Sequence, residues 1–207
     1  MRPKRSPSKN SSRPSRDPRA SAPDKSGKLR IIGGKFRRRQ LPVLESPGLR
    51  PTPDRVRETL FNWLAAYVEG AQVLDLFAGT GALGIEALSR GATSACLVER
   101  DSKVAAQLSH NLALLEVENA SVISRDVSAF LTTPPSTAFS LVFLDPPFHQ
   151  ALVEPCCQAL ENGWLTPQAM IYVETEAGLS PPVPNCWSLH RETRAGESIG
   201  RLYQRLL

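Results

Sequence analysis

The sequence predicts an α/β fold: a mostly parallel sheet of seven strands with helices on both faces, preceded by a small β-hairpin. Three observations predict it. From residue 72 onward, short apolar runs alternate with segments of helical period, the pattern of βαβ units. The first run passes through a glycine-rich turn into a helix, and an acidic residue ends the second. The fourth run passes into Asp145-Pro146-Pro147-Phe148, where two prolines fix a stiff loop at the strand end at which such sheets bind ligands.

Each element has its own signal. Residues 29–32, then Gly33-Gly34, then a run to Val43 read as a hairpin, since Gly-Gly is a hairpin turn signal. Its second arm carries Arg37, Arg38 and Arg39, which cannot all point inward. Thr52 can cap a helix with Pro53 in its first turn, and Val56, Leu60, Trp63/Leu64 and Tyr67 recur on one face. Arg55 and Arg57 fall off that stripe. Strands are expected at 72–77, 94–99, 121–124, 141–144 and 170–174, and the runs 187–193 and 198–205 form a closing pair. Helices are expected at 82–90, stopped by Gly91, and from Asp101 to about Leu115, with Val104, Leu108, Leu112 and Leu115 in phase. Two more are expected near 128–131 and through about Leu160, with a loop at Pro134-Pro135.

The chain has 207 residues, enough for one domain plus an extension at a prior of one domain per ~150 residues. Hydrophobic residues make up 41%, sufficient for a core, and no run approaches the ~20 apolar residues of a membrane span. Cys96, Cys156, Cys157 and Cys186 form no C-x-x-C pair, which argues against a zinc knuckle or a disulfide scaffold and suits a reducing, cytoplasmic setting. No metal site is expected.

Charge is unevenly placed. Residues 1–28 carry a net +7, residues 29–57 a net +6, and the remaining 150 residues a net −8. A basic front end joined to an acidic body points to a polyanionic partner engaged by the front end. Residues 1–28 hold five Pro and seven Ser but no Leu, Ile, Val, Phe, Tyr or Trp, so the expectation is a disordered tail without the apolar core of a secretory signal. Residues 29–48 then form the basic hairpin, and 49–207 the main domain. Arg37, Arg38 and Arg39 are a solvated face on the bland reading and a nucleic-acid face on the functional one; the regional charge favours the latter.

The stretch Val73-Leu74-Asp75-Leu76-Phe77-Ala78-Gly79-Thr80-Gly81 is the strongest local signal. Gly79 and Gly81 let the backbone turn sharply and approach a ligand. Glu99, ending the next strand, can accept both hydroxyls of a ribose. A bare tight turn is the bland alternative, but strand, turn, helix and acidic strand end coincide here. NAD suits this spacing, yet Asp75 would then place a carboxylate near the pyrophosphate at the helix N-terminus. A carboxylate there better suits a cationic ligand, S-adenosylmethionine. Asp126 follows the third strand and can accept from an adenine amine, with the Val127 N–H meeting a ring nitrogen; a plain helix N-cap is the competing reading of Asp126. Acidic residues after strands one, two and three resemble the Rossmann-like fold of class I methyltransferases.

The Asp-Pro-Pro-Phe residue types have a chemical reason. An exocyclic amine of a nucleobase is a poor nucleophile, because its lone pair is delocalised into the ring. As it attacks a methyl group its hydrogens become more positive. Acceptors aimed at them stabilise the transition state more than the ground state. The Asp145 carboxylate and the Pro146 carbonyl can be those acceptors, Pro147 stiffens the corner, and Phe148 can stack on the base.

With these motifs in view, residues 28–207 resemble the bacterial RsmD-type methyltransferases. The match is carried by Arg-Ile-Ile-Gly-Gly at 30–34 and Arg-Pro-Thr-Pro-Asp-Arg-Val-Arg-Glu-Thr-Leu-Phe-Asn at 50–62, together with the glycine loop and Asp145–Phe148. The resemblance implies methylation of the N2 amine of a guanine in small-subunit ribosomal RNA, preferably within a partly assembled 30S particle. It implies that Asp75, Phe77, Gly79, Gly81 and Glu99 hold S-adenosylmethionine, with Asp126 and Val127 at its adenine. The stretch from Arg50 through Thr52 and Arg55 to Arg57 would border the methionine end and the RNA. The chain is read as a monomer. The long tail departs from the family pattern.

Three other readings compete. A DNA adenine-N6 methyltransferase can use the same tetrapeptide, but the chain lacks room for a separate DNA-recognition domain. An NAD-dependent reductase needs a hydride-site Tyr/Lys pair or a placed His. His110 lies on an outer helix face, His190 falls in the closing strands, and His149 reads as a solvent-facing loop residue. A non-enzymatic assembly factor would not need the intact acidic set.

Overall fold

The computed structural model describes residues 27–44 and 53–207. The basic tail up to residue 26, Arg50 and Thr52 lie outside the described residues. Strands β1 (Gly27–Arg30) and β2 (Gln40–Val43) pair antiparallel with Leu29 opposite Leu41. The hairpin exists, but its connection is nine residues long, 31–39, not a two-residue Gly-Gly turn. The reason lies in Gly34, at φ +72°: a Cβ there would stand 1.7 Å from the Ser89 carbonyl oxygen. The glycines let this loop lie against the helix after the glycine-rich turn, and the Lys35 N–H donates to the Ser89 carbonyl at 2.7 Å. Arg37, Arg38 and Arg39 therefore sit on an exposed turn before β2 rather than on a strand.

Helix α1 (Asp54–Trp63) is capped by Pro53, which stands just outside the helix and not in its first turn. Its inward face is turned one residue from the expected stripe: Arg57, Leu60, Phe61 and Leu64 are buried, while Val56 and Tyr67 are half-buried. The hidden arginine is what rotates the face.

The main sheet is built from β3 (Gln72–Asp75), β4 (Ser94–Glu99), β5 (Ala120–Ser124), β6 (Phe139–Leu144), β7 (Leu165–Glu176), β8 (Trp187–Ala195) and β9 (Ser198–Arg205). Their order is β5-β4-β3-β6-β7-β9-β8; the first five are parallel, and β9 runs antiparallel to its neighbours β7 and β8. The order reverses at β3, so a crevice opens between the ends of β3 and β6. Between strands run α2 (Gly84–Ser89), α3 (Ser102–Leu114), α4 (Val127–Leu131) and α5 (Val153–Leu160).

Alternate strand residues feed two cores. Val73, Leu97, Leu141 and Phe143 pack with the apolar faces of α1, α2 and α3. Leu74, Val98, Val142 and Leu144 pack with α4 and α5. Strands covered on both faces read as unbroken apolar runs, which is why β6 is buried along nearly its whole length. Asp101 caps α3 as expected, its Oδ1 accepting from the N–H of Lys103 at 2.8 Å and of Val104 at 3.3 Å. All four cysteines are free thiols, and burial pushes Cys156 up to about 11 and Cys157 up to about 12, which keeps both unreactive. No described helix is long and apolar enough to cross a membrane.

Candidate active site

One cleft of about 720 Å³ runs along the carboxyl ends of the parallel strands. Asp75, Glu99, Asp126 and Val127 line one half, and Asp145, Pro146, Pro147 and Phe148 the other. Sequence-distant motifs meet there because their strands are neighbours.

Asp75 is the last residue of β3 and is only 2% exposed. Its Oδ2 accepts from the Gly84 N–H at 3.0 Å. Burial lifts its carboxyl to about 7; the Gly84 amide opposes the rise and the Glu99 charge adds to it. Gly84 allows this closeness, for a Cβ there would stand 2.2 Å from Leu97 Cδ2 and 3.2 Å from the Asp75 carboxylate. Gly79 and Gly81 both take positive φ. Phe77 and Gly79 line the cleft, but Gly81 does not. Its place is taken up by packing, since a Cβ on Gly81 would meet Leu108 Cδ2 at 2.5 Å. Gly81 thus shapes the loop without facing the cleft.

Glu99 ends β4 with its carboxylate pinned on both sides. Oε2 accepts from the Gly79 N–H at 3.0 Å, and Oε1 from the Asp101 N–H at 2.8 Å. A carboxylate has about four acceptor positions, so two remain for hydroxyl donors. Asp126 makes the helix cap: its Oδ1 accepts from the Ala129 N–H at 3.1 Å, and the residue also lines the cleft.

The tetrapeptide leaves β6 with Asp145 half-buried, Pro146 buried, Pro147 exposed and Phe148 half-buried. The loop beyond it is held against preference. His149 and Ala151 take φ of +63° and +51°, each costing of order 1 kcal/mol or more for residues with a side chain. The Glu176 carboxylate at the end of β7 accepts from the His149 backbone N–H and faces its Nδ1 at 3.4 Å. His149 is exposed, as the sequence indicates, yet it also lines the rim of the cleft.

The arginines part company. Arg37, Arg38, Arg39 and Arg55 are exposed and none lines the cleft; Arg39 Nη2 donates to the Leu114 carbonyl at 3.1 Å. Arg57 is a correction. It is 1% exposed, donating to the Arg30 carbonyl at 2.9 Å, pairing with Asp54 and facing Glu86 at 3.7 Å. A guanidinium enclosed by α1, α2 and the hairpin braces the interior and is not presented to RNA.

Pro53, within the Arg50–Arg57 stretch, reaches the cleft, and so do residues that the motifs did not flag: Arg100, Glu174, and Glu197 with Ser198 at the β8–β9 turn. Glu174 had a readable signal, a single acidic residue at the end of the apolar run Met-Ile-Tyr-Val. The β8–β9 turn had none, because only the antiparallel return of β9 beside β7 brings it there. Among the described residues, no group of three or more His, Cys, Asp or Glu is placed to hold a metal ion.

Residues 29–204 match the family described as conserved hypothetical protein 95. The ribosomal RNA small subunit methyltransferase D of Escherichia coli K12 is 56% identical over 183 residues, 87% of this chain and 91% of that relative. The chain belongs to this RsmD-type methyltransferase family. The solved structure of yhhF from Escherichia coli, 53% identical, superposes with a TM-score of 0.82 over 87% of this chain and 99% of that one. The same fold recurs in the solved structure of SMU.776 complexed with SAH, at 15% identity and a TM-score of 0.65, covering 89% of this chain and 57% of that one. The RsmD-type fold here is thus a Rossmann-like class I methyltransferase sheet with an added N-terminal hairpin.

Proposed function

We propose that this protein transfers a methyl group from S-adenosylmethionine to the N2 amine of a guanine in small-subunit ribosomal RNA, acting as a monomer on a partly assembled 30S particle. The observation that carries the reading is that the acidic glycine loop and the Asp-Pro-Pro-Phe corner open into one cleft, across a single strand boundary. The kinship with a ribosomal RNA methyltransferase supports RNA as the acceptor.

The donor half suits a cationic cofactor. Asp75 is a buried carboxyl held at about 7. A pyrophosphate would raise it further, whereas a positive group would favour its charged form. Glu99 accepts the ribose hydroxyls, Asp126 the adenine amine, and Val127 donates its backbone N–H to the ring. When bound, the cofactor supplies an electrophilic methyl group on a sulfonium centre. Asp145 and the Pro146 carbonyl accept from the two N2 hydrogens, hold the lone pair toward the methyl, and stabilise the positive charge that grows on nitrogen. Asp145 then takes or passes on the proton that N2 sheds. Phe148 stacks on a base that has left its helix, an extrusion costing a few kcal/mol. Alignment of the partners can contribute ~7–11 kcal/mol. Arg37, Arg38, Arg39 and Arg55 engage RNA phosphates outside the cleft.

The test is methyl transfer to small-subunit particles lacking the modification, with the modified nucleotide mapped by mass spectrometry. Asp145→Ala is expected to lower kcat at least 100-fold while leaving the Kd for S-adenosylhomocysteine within twofold. Unchanged turnover would remove Asp145 from the chemistry, and methyl groups found only on adenine N6 would replace the guanine reading.

A further inference from the structure

The Asp-Pro-Pro-Phe corner suits any exocyclic amine, so it does not choose the base. We propose that Glu174 chooses it: its carboxylate accepts the N1–H of the target guanine while Asp145 and the Pro146 carbonyl hold the N2 hydrogens. This rests on the guanine-N2 reading above and extends it to how the base is recognised.

Position comes first. In the parallel ladder of β6 and β7, Phe143 lies opposite Tyr172 and Leu144 opposite Val173. Continued one step past the end of β6, that register leads to Asp145 and Glu174, and the charges of both act on the Tyr172 hydroxyl. Neighbours in register point to the same side of a sheet, and adjacent strands lie about 4.8 Å apart. Both residues line the cleft. The ends of β5, β4 and β3 carry the donor-side carboxylates, and the ends of β6 and β7 carry this second pair.

Glu174 is also built in. It is 8% exposed, and it makes no ion pair with a described Lys, Arg or His. The Tyr172 hydroxyl donates to its Oε2 at 2.9 Å. Tyr172 is itself 1% exposed and packs over Gly200, where a Cβ would stand 2.3 Å from the hydroxyl oxygen. Burial, then the Glu174 and Asp145 charges, push the Tyr172 hydroxyl well above its ordinary range, so it stays a donor at any working pH. A buried carboxylate oriented by one donor and lacking a cation is costly unless a ligand brings further donors.

Guanine brings them. Its Watson–Crick edge presents N1–H and the N2 amine side by side. Adenine presents an amine beside a bare N1 acceptor, whose lone pair would face the carboxylate. The base 2-aminopurine keeps the N2 amine but has no hydrogen on N1; it also lacks O6, so the change in preference on replacing Glu174 is what assigns the effect to N1. Sites built to accept a hydrogen bond reject analogues that lack the donor far more strongly than sites that read shape alone.

The experiment replaces the target guanine in the RNA by 2-aminopurine and compares kcat/KM with that of the guanine substrate, for wild type and Glu174→Gln. Wild type is expected to prefer guanine by roughly 100-fold or more. Glu174→Gln can turn its amide N–H toward a bare N1, so the preference should fall at least tenfold, with the Kd for S-adenosylhomocysteine within twofold of wild type. Comparable methylation of both bases by wild type overturns the proposal, and needs no variant to fold. So does a variant that slows both substrates equally, or one that loses cofactor affinity tenfold, which would move Glu174 to the donor half. Guanine methylated without discrimination removes this inference alone; no guanine methylation at all removes the function reading with it.

Discussion

Asp75 carries a carboxyl whose surroundings disfavour its charge. Its ordinary value is 3.8, and burial holds it at about 7 in the folded protein. The folded state therefore grips the proton more tightly than the unfolded chain. Ionisation costs stability progressively as pH rises from about 4 to about 7, and the full cost persists above that. Asp75→Asn never ionises. The variant is expected to melt above wild type at pH 8, with the gap closing by pH 4, and to bind S-adenosylmethionine at least tenfold more weakly at pH 8. Calorimetric scans at pH 4, 6 and 8, with titrations at the highest, check both. A gap independent of pH would mean that burial is not what lifts this carboxyl. The residue is destabilising where it stands, an arrangement common at functional sites, and a cationic ligand of the kind proposed above would offset that cost. Its place in the cleft was legible because the strand, the glycines and the acid are consecutive in sequence. Glu174 escaped the same reading because its partner Asp145 lies 29 positions away and only the β6–β7 register joins them.

At the scale of elements, the order of the strands and the α3 cap were legible, because a period of two or 3.6 and a capping Asp are local facts; the strand bounds were less so, since β3 stops at Asp75 rather than residue 77 and β7 runs from Leu165 to Glu176 rather than over 170–174. The hairpin connection and the inward face of α1 were not legible, and one buried group touches both. Glu86 on α2 is 1% exposed and accepts from the N–H of Ile32 and of Gly33, each at 2.8 Å, and from Arg90 Nε at 2.7 Å. Arg57 faces it from α1. A polar cluster buried between three elements has no signature in any of their sequences taken singly. Glu86→Ala strands two backbone donors and an arginine, and is expected to cost about 3–5 kcal/mol. Urea unfolding monitored by circular dichroism checks the value; a loss below 1 kcal/mol would mean that water replaces the carboxylate.

Over the whole molecule, charge and topology divide the labour. The carboxylates of Asp75, Glu99, Asp126, Asp145 and Glu174 share the cleft at the strand ends, and Arg37, Arg38 and Arg39 stand outside it on the exposed turn. An acidic cleft repels RNA, which is why the function proposed above assigns the attraction to the front end. Replacing the three arginines by Ser is expected to weaken RNA binding at 50 mM salt. It should also lower the slope of log K against log salt by roughly 2–3, at about 0.7–0.9 for each phosphate no longer neutralised. Binding isotherms at four salt concentrations measure it, and an unmoved slope would place the RNA face elsewhere.

The Glu86 clamp has a mechanical consequence. The same carboxylate that grips the backbone of the arginine turn sits on the helix that springs from the glycine loop, and Gly84 of that helix is hydrogen-bonded to Asp75. If the arginine turn binds nucleic acid as proposed above, a pull on it passes through these two hydrogen-bonded links to the floor of the cleft. The position of that turn and the shape of the glycine loop would then not be separately adjustable.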